Sequence, residues 1–443
     1  GDWRKAEKEG DGMSEMLDDI LSLENISLAV AKVCSNKGAG GVDGMDVEEI
    51  HEYMAKEWPA TKELIRERKY RPMPVLRVEI PKPNGGVRKL GIPTVVDRVI
   101  QQAIAQKLSP MFEPLFSEHS YGFRPGRSAL MAVAEVARYI NEGYEWIVDF
   151  DLEKFFDNVP QDRLMSYVGR VINDGDTESL IRKFLKAGVM VEGIYERTEV
   201  GTPQGGCLSP LLSNIMLNEL DKELEARELH FSRYADDLVI AVRSEASAKR
   251  VMHSVTSFIE RKLGLKVNAE KTHVCRPSKL KFLGYTFYYD SFSNKEWRPR
   301  PHEKSVTKFK DKLKELCCRS WSVPMDYRIE RLNQTIRGWI NYFRLGDMKW
   351  VLTTIDEHLR TMIRTVVWKQ WKVPSARRKG LMKLGICKDW ARVTAYCGDR
   401  YQFVALKTCL NKAISKAVLK RRGLLSCLDY YMDRRIQTTF RLS

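Results

Sequence analysis

Asp236 and Asp237 stand side by side in Arg233-Tyr234-Ala235-Asp236-Asp237-Leu238, between two strand-like runs, Phe231 to Tyr234 and Leu238 to Val242. That spacing predicts a tight turn between paired strands, with both carboxylates at its tip and in reach of one hydrated cation. A second acidic strand lies far upstream. Trp146-Ile147-Val148-Asp149-Phe150-Asp151 is a largely apolar run that delivers Asp151 at its end, and a charge closing a buried-type strand is not there for packing. Carboxylates from two such strands can hold two divalent cations about 3.5 to 4 Å apart, which clamp the attacking and departing oxygens of a phosphoryl transfer. The chemistry asks the protein for alignment and charge neutralisation, and for little else.

Other segments are placed to serve such a site. Thr202-Pro203-Gln204-Gly205-Gly206 offers a polar approach surface whose glycines let the backbone come close to a base pair. Val75 to Ile80 alternates as a strand, Pro81 to Gly86 reads as a hairpin turn, and Val87 to Leu90 returns. The result is a β-finger that carries Lys82 and Arg88. Gly38-Ala39-Gly40-Gly41-Val42-Asp43-Gly44 is a flexible loop: Asp43 replaces the third glycine of a dinucleotide fingerprint and no phosphate-loop lysine follows, which excludes a Rossmann or P-loop site.

Helical periodicity is expected over Asp97 to Leu108, Ala129 to Ile140 and Leu164 to Val171. Strands and helices alternate irregularly without a repeat, so the fold class is α+β with a mostly antiparallel sheet. Beyond Pro301 only helices follow. Their apolar stripes are Val306, Phe309, Leu313 and Leu316, then Ile329, Leu332, Ile336, Trp339 and Phe343, then Leu352, Ile355, Leu359, Met362 and Val366. Spacing of three and four residues predicts a three-helix bundle, followed after Pro374 by a small basic helical domain.

The 443 residues carry 74 Lys and Arg against 58 Asp and Glu, a net charge of +16. Residues 298 to 443 hold 33 basic and 12 acidic residues, a net of +21, which leaves −5 for residues 1 to 297. The excess positive charge therefore belongs to the C-terminal third, and it calls for a polyanionic partner. Nine cysteines without CxxC spacing point to a reducing compartment and to no zinc site. No apolar run approaches the roughly 20 residues that span a bilayer, and the acidic N-terminus, with Asp2, Glu7, Glu9 and Asp11, is not a signal peptide. No membrane partner is expected.

In order, Ile80-Pro81-Lys82-Pro83, Leu90-Gly91-Ile92-Pro93-Thr94, Tyr121-Gly122-Phe123-Arg124-Pro125, Asp151 to Asp157, Gly201 to Gly206, Tyr234-Ala235-Asp236-Asp237, Leu265-Lys266-Val267-Asn268 and Phe282-Leu283-Gly284 resemble the motif series of group II intron reverse transcriptases, or maturases. The resemblance runs from about residue 15 to the end. It implies a right-hand polymerase: an N-terminal extension with a template-clamping loop (1–45), fingers and palm (46–297), a thumb or X domain (298–373) and a basic DNA-binding domain (374–443). Asp151, Asp236 and Asp237 would be the catalytic carboxylates, with two Mg²⁺, or Mn²⁺ in their place, held by Asp151, Asp236 and the Leu152 carbonyl. Lys82, Arg88, Phe156 and Gln204 would bind the dNTP, with Phe156 as the gate against a ribose 2′-hydroxyl. Phe282, Leu283 and Gly284 would form the primer grip. Arg124, Arg337 and Arg344 would touch nucleic acid, the last two from or beside Arg337-Gly338-Trp339-Ile340-Asn341-Tyr342-Phe343, which resembles the characteristic thumb helix.

The implied partners are an intron RNA template, a DNA primer or target, the RNA–DNA duplex and dNTPs. The implied function is RNA-directed DNA synthesis with help to splicing and retrohoming, in a bacterial cytoplasmic ribonucleoprotein or a eukaryotic organelle. Two alternatives share these features: a related enzyme of phage defence or CRISPR arrays, and an RNA-binding splicing cofactor alone. With no paired CxxC in the tail and no His after His358, an HNH endonuclease domain is not expected in this chain.

Overall fold

The computed structural model describes residues 14–81, 87–191, 193–198, 200–202, 205–292 and 295–442, without the side chains of residue 88 and of residues 436–442. The chain divides into two compact units, one of residues 1–132 and 143–275, the other of residues 133–142 and 276–443.

Ten strands are present among the described residues: β1 (Val75–Pro81), β2 (Val87–Ile92), β3 (Trp146–Phe150), β4 (Val189–Val191), β5 (Ile194–Glu196), β6 (His230–Tyr234), β7 (Asp237–Val242), β8 (His273–Cys275), β9 (Tyr285–Asp290) and β10 (Glu296–Pro301). The first unit holds two four-stranded sheets, ordered β2-β1-β4-β5 and β6-β7-β3-β8. The second of these is antiparallel throughout. Its central strand β7 is buried along nearly its whole length and β3 at Ile147, Val148 and Phe150, because the helix Glu245–Phe258 packs on β3, β7 and β8 while the helix Ser209–Ala226 packs on β6.

The finger hairpin expected from the alternation is there: β1 and β2 pair antiparallel from Leu76↔Ile92 to Pro81↔Val87. One pairing departs from the expected antiparallel pattern, since β1 also runs parallel to β4 through Val75↔Val189 and Leu76↔Met190. A three-residue strand has too little pattern to announce its partner.

The helix Val95–Phe112 is the spine of this unit, with Val95, Val99, Ile100, Ala103, Ile104 and Leu108 almost fully buried. Thr94 caps its N-terminus by accepting from the Asp97 N–H. Asp97 itself, 1% exposed, accepts from Tyr70 Oη at 2.7 Å, from Thr94 Oγ1 at 2.9 Å and from the Met73 N–H at 3.1 Å. Burial raises its pKa above the ordinary range. Arg98 donates to the Ala39 carbonyl at 2.6 Å, and Gly41 approaches the Thr94 backbone so closely that a Cβ would lie 2.7 Å from it. The glycine loop is thus seated on the start of the spine helix.

In the second unit the hairpin β9–β10 precedes three helices, Glu303–Leu316, Met325–Phe343 and Lys349–Gln370. Their interior is made of the three stripes read from the sequence: Phe309, Leu313, Leu316, Ile329, Leu332, Ile336, Leu352, Ile355, Leu359 and Val366 are all buried. Buried Arg328 caps the first helix by donating to the Leu316 carbonyl, and it donates also to Trp321 O at 2.5 Å. Short helices from Pro374–Lys383 to Cys427–Leu442 complete the unit. Asp356 fastens the last of them, accepting from the Cys427 N–H at 2.8 Å and the Leu428 N–H at 3.1 Å.

The unit boundary falls at Cys275 and Arg276 rather than at 297 and 298. The reason is local bonding. Tyr285 Oη donates to the Tyr342 carbonyl at 2.5 Å, Tyr288 Oη to Asp347 at 2.9 Å, and the Asp347 N–H to the Pro299 carbonyl at 2.9 Å. The β9–β10 hairpin belongs with the helices that follow it.

Candidate active site and nucleic-acid surfaces

The register of β3 and β7 brings the two acidic segments together. Phe150 pairs with Leu238, so one step further Asp151 faces Asp237 across the end of the ladder. Antiparallel neighbours there have Cα atoms roughly 5 Å apart. Tyr234 pairs with Asp237, which leaves Ala235 and Asp236 as the two residues of the hairpin turn. Asp151 and Asp236 are partly exposed and Asp237 is exposed, at the edge of an otherwise buried sheet.

On its other side Asp151 is fixed by residues 266–272. Its N–H donates to Thr272 Oγ1 at 3.1 Å and its carbonyl accepts from the Asn268 N–H at 2.8 Å. Leu152 pairs with Val267, and the Glu153 N–H donates to the Lys266 carbonyl at 2.9 Å. Because that ladder uses the Asp151 carbonyl, the Leu152 carbonyl points to the opposite edge, the side of the hairpin turn. The Lys271 ammonium lies 3.5 Å from Asp151 Oδ2.

Among the described residues no group of three or more His, Cys, Asp or Glu side chains could hold a metal ion unaided. A hard divalent cation does not need one, because it binds through one or two carboxylates and completes its shell with water and substrate phosphate oxygens. The donors here are oxygens only: the Asp151 and Asp236 carboxylates and the Leu152 carbonyl. They fit such an ion.

The turn is held from behind. Arg233 and Asp221 are fully buried, Arg233 Nε donating to Asp221 Oδ1 at 2.7 Å and its Nη2 to Oδ2. Arg233 Nη1 donates to Asn214 Oδ1 at 3.1 Å and to the Ala235 carbonyl at 2.9 Å. Asn214 Nδ2 donates in turn to the Gly122 carbonyl at 2.8 Å. Gly122 lies so close that a Cβ would be 2.3 Å from Ala235 N, so no other residue fits without moving the turn. Ala235 has φ +57°, a left-handed conformation that surrounding bonds must impose on a residue with a Cβ. The Tyr121-Gly122-Phe123 motif is the wall against which the carboxylate turn is moulded.

Phe156 is the second residue of a short helix, Phe155–Asn158, and is partly buried with its ring edge-on to Phe155 at 5.2 Å. Its carbonyl accepts from the Thr202 N–H at 2.7 Å, and Gly201 packs on the Phe156 and Asp157 carbonyls. Gly205 approaches the Gly91 carbonyl, where a Cβ would come to 2.4 Å. The glycine motif therefore touches Phe156 at one end and the finger at the other. Phe156 lines a cleft of about 390 Å³ whose other walls include Arg77, Lys89, Lys154, Arg197 and Thr202. Asp157 and Glu196 line it too, Glu196 lying 4.0 Å from Arg77, so the cleft carries a modest positive excess.

Lys82 and Gln204 lie outside the described residues, as does the side chain of Arg88, whose backbone pairs with Ile80. Arg77 and Lys89 escaped the sequence reading, because which face of a hairpin looks into a cleft is a tertiary fact.

Arg124 is not placed for contact with nucleic acid. Its side chain is 3 % exposed, paired with Glu113 at 2.8 Å, and it donates to the Ser120 carbonyl at 2.8 Å and to the Ser117 carbonyl. It ties the Tyr121–Pro125 segment to the end of the spine helix.

In the second unit Leu283 and Gly284 form a tight turn at φ +50° and +82°. Phe282 and Tyr285 pair across it. Tyr342 Oη donates to the Leu283 carbonyl at 2.9 Å and Ser305 Oγ to the Gly284 carbonyl at 3.0 Å. Phe282 is buried; Leu283 and Gly284 are partly exposed. Arg337 is exposed in mid-helix, next to Gly338, around whose missing Cβ there is open space, and Arg344 is partly buried.

Comparison with known proteins matches residues 80–287 to the family "Reverse transcriptase (RNA-dependent DNA polymerase)". Residues 306–385 match "Group II intron, maturase-specific domain". Protein YkfC of Escherichia coli K12 is 33% identical over 302 residues, 59% of this chain and 79% of that protein. The group II intron-encoded protein LtrA of Lactococcus lactis is 32% identical over 331 residues, 58% of this chain and 54% of LtrA. A putative COX1/OXI3 intron 2 protein of Saccharomyces cerevisiae is 27% identical over 66% of this chain and 40% of its own length. The chain thus spans about half or less of these last two relatives. A solved structure titled partial Cas6-RT-Cas1--Cas2 complex is 25% identical over 58% of this chain and 43% of its own, with a TM-score of 0.37. With a reverse transcriptase domain and a maturase-specific domain following one another, the chain belongs to the group II intron reverse transcriptases.

Proposed function

We propose that this chain copies an RNA template into DNA by metal-assisted nucleotidyl transfer and that its basic second unit grips the intron RNA it serves. The observation that carries the reading is the shared end of β3 and the β6–β7 hairpin, which sets Asp151 opposite the Ala235–Asp236 turn. Two Mg²⁺ ions, when bound, would be held by Asp151, Asp236 and the Leu152 carbonyl and would supply charge neutralisation at the transferring phosphoryl group. Asp237 completes the acidic set. The chain's own work is positioning: Thr272 and Asn268 fix the Asp151 backbone, and the finger brings cations to the triphosphate. Lys82 and Arg88 are the candidates for that role, while Arg77 and Lys89 line the cleft beside Phe156. Gln204 would lie under the incoming nucleotide and Phe156 beside its sugar.

For nucleic acid, the Leu283–Gly284 turn is the candidate primer grip, with buried Phe282 as its anchor, and exposed Arg337 with partly buried Arg344 is the candidate backbone contact. Help to splicing and retrohoming follows from the family and from the +21 charge of residues 298–443. Among the described residues no helix is long and apolar enough to cross a membrane, and a ribonucleoprotein in the bacterial cytoplasm or an organelle is the setting that suits these partners.

Primer extension on an RNA template, run beside RNA binding, tests the reading. The wild-type chain extends a DNA primer with dNTPs, and Asp236→Ala abolishes extension while RNA affinity stays within about twofold. Retained synthesis in Asp236→Ala removes that residue from the site. RNA binding without synthesis by the wild type leaves a splicing cofactor and nothing more.

A further inference from the structure

We infer that Arg233 is the positioning residue of the carboxylate turn: through its Nη1 bond to the Ala235 carbonyl it sets where Asp236 stands, and Asp221 and Asn214 exist to aim it. The inference rests on the polymerase reading of that turn but concerns residues that lie behind it and touch no substrate.

Arg233 sits one residue before the Tyr234–Asp237 hairpin and is 0% exposed, as is Asp221; Asn214 is 1% exposed. A guanidinium has donors on two edges. Here one edge is spent on both Asp221 oxygens, and the other divides between Asn214 Oδ1 and the Ala235 carbonyl. The carboxylate fixes the rotation of the guanidinium plane, and that rotation fixes the carbonyl of the turn. Two further contacts enclose the same turn. The Tyr121 N–H donates to the Arg233 carbonyl at 2.8 Å, and the Arg233 N–H donates to the His119 carbonyl at 2.9 Å. Asn214 reaches over to the Gly122 carbonyl, whose residue presses on Ala235 N.

A buried ion pair alone is weak evidence of a stabilising role, since apolar replacements often fold as well or better. What marks this pair is the third partner, a carbonyl in the left-handed residue next to the carboxylate that does the chemistry. Hydrogen bonds behind a ligating group orient it, and their loss commonly lowers metal affinity or activity 10- to 100-fold.

Three variants separate the turn from the fold. Arg233→Lys keeps a cation for Asp221, but one ammonium cannot hold both carboxylate oxygens and the Ala235 carbonyl together. Asp221→Leu with Arg233→Met removes both charges at once and so leaves none unpaired. Asn214→Leu removes the bridge to Gly122. Asp174→Ala, which deletes the cap of the helix Gly175–Leu185, serves as a control that lowers stability elsewhere. Each full-length protein is measured by hydrogen exchange of the peptide covering residues 230–242 without metal, by thermal melting, and by primer extension with dNTP concentration varied.

We expect faster exchange across residues 234–238 in Arg233→Lys and in the double variant. Their kcat should fall about 10- to 100-fold, with KM for dNTP unchanged within about twofold, and Asn214→Leu should show the same pattern more weakly. The Asp174→Ala control should melt earlier with exchange at the turn and kcat unaltered. If the double variant folds and neither its turn exchange nor its kcat moves, the inference is wrong. If kcat falls only in step with melting temperature, as in the control, Arg233 is merely structural and the inference fails as well. A wild-type chain that makes no DNA overturns the polymerase reading instead, and the exchange measurement still decides what Arg233 holds.

Discussion

If Phe156 stands beside the sugar as proposed, one side chain decides which nucleotide is used. Its backbone is pinned by Thr202 and Gly201, and its ring is braced by Phe155, so the ring cannot simply swing away from a sugar brought into the cleft it lines. A rigid ring discriminates by excluding volume, which a flexible one would not. Phe156→Ala is therefore expected to raise rNTP incorporation relative to dNTP by roughly tenfold or more while dNTP synthesis changes little. Single-nucleotide incorporation with matched dNTP and rNTP reads this directly, and an unchanged ratio removes the gate. Residues such as Asp151, Asp236 and Phe156 could be singled out because neighbours in sequence mark them, and the strand register brings the two acidic segments together. Asp221 could not: it is one acidic residue on a mostly buried helix, Ser209–Ala226, and only the fold shows Arg233 against it. Arg124 was misread for the converse reason, because a basic residue inside a family motif looks like a phosphate contact until burial and its three acceptors are seen.

At the scale of elements, the helix Met325–Phe343 carries an informative irregularity. Gly338 sits in its interior, with nothing within 4 Å of the place a Cβ would occupy. Alanine there would stabilise the helix by about 1 kcal/mol, so packing within the chain does not explain the glycine. The proposed approach of a nucleic-acid backbone beside Arg337 would. Gly338→Ala should raise thermal stability by about 1 kcal/mol and weaken binding to an RNA–DNA duplex by roughly tenfold, about 1.4 kcal/mol. A variant that is both more stable and equally tight would show that no partner lies on this face. The three helices themselves were legible, since their stripes repeat every three or four residues and the same residues form the buried interior. The β9–β10 hairpin was read with the palm, whose strand alternation it resembles, and its bonds to Tyr342 and Asp347 fasten it to the helices that follow. The parallel β1–β4 pair was illegible for want of length.

Over the whole molecule, charge and chemistry are segregated along the chain. Residues 1–297 are close to neutral and carry the carboxylates, whereas residues 298–443 carry the positive excess. In the first segment acidic and basic residues nearly balance, with Lys271 itself beside Asp151, whereas a basic second segment would give affinity without sequence readout. The two family matches follow the same division, with the reverse transcriptase match over 80–287 and the maturase-specific match over 306–385.

The central claim is that two segments far apart in sequence share one metal site. Iron-directed cleavage tests it most directly: Fe²⁺ takes the place of Mg²⁺ in the metal-free protein, and peroxide with ascorbate then cuts the backbone wherever the ion is bound. The account predicts two cuts together, one beside Asp151 and Leu152 and one beside Ala235 to Asp237, both suppressed by excess Mg²⁺ and both lost in Asp236→Ala. Cleavage at only one of the two segments, or at neither in a protein that still makes DNA, would contradict it.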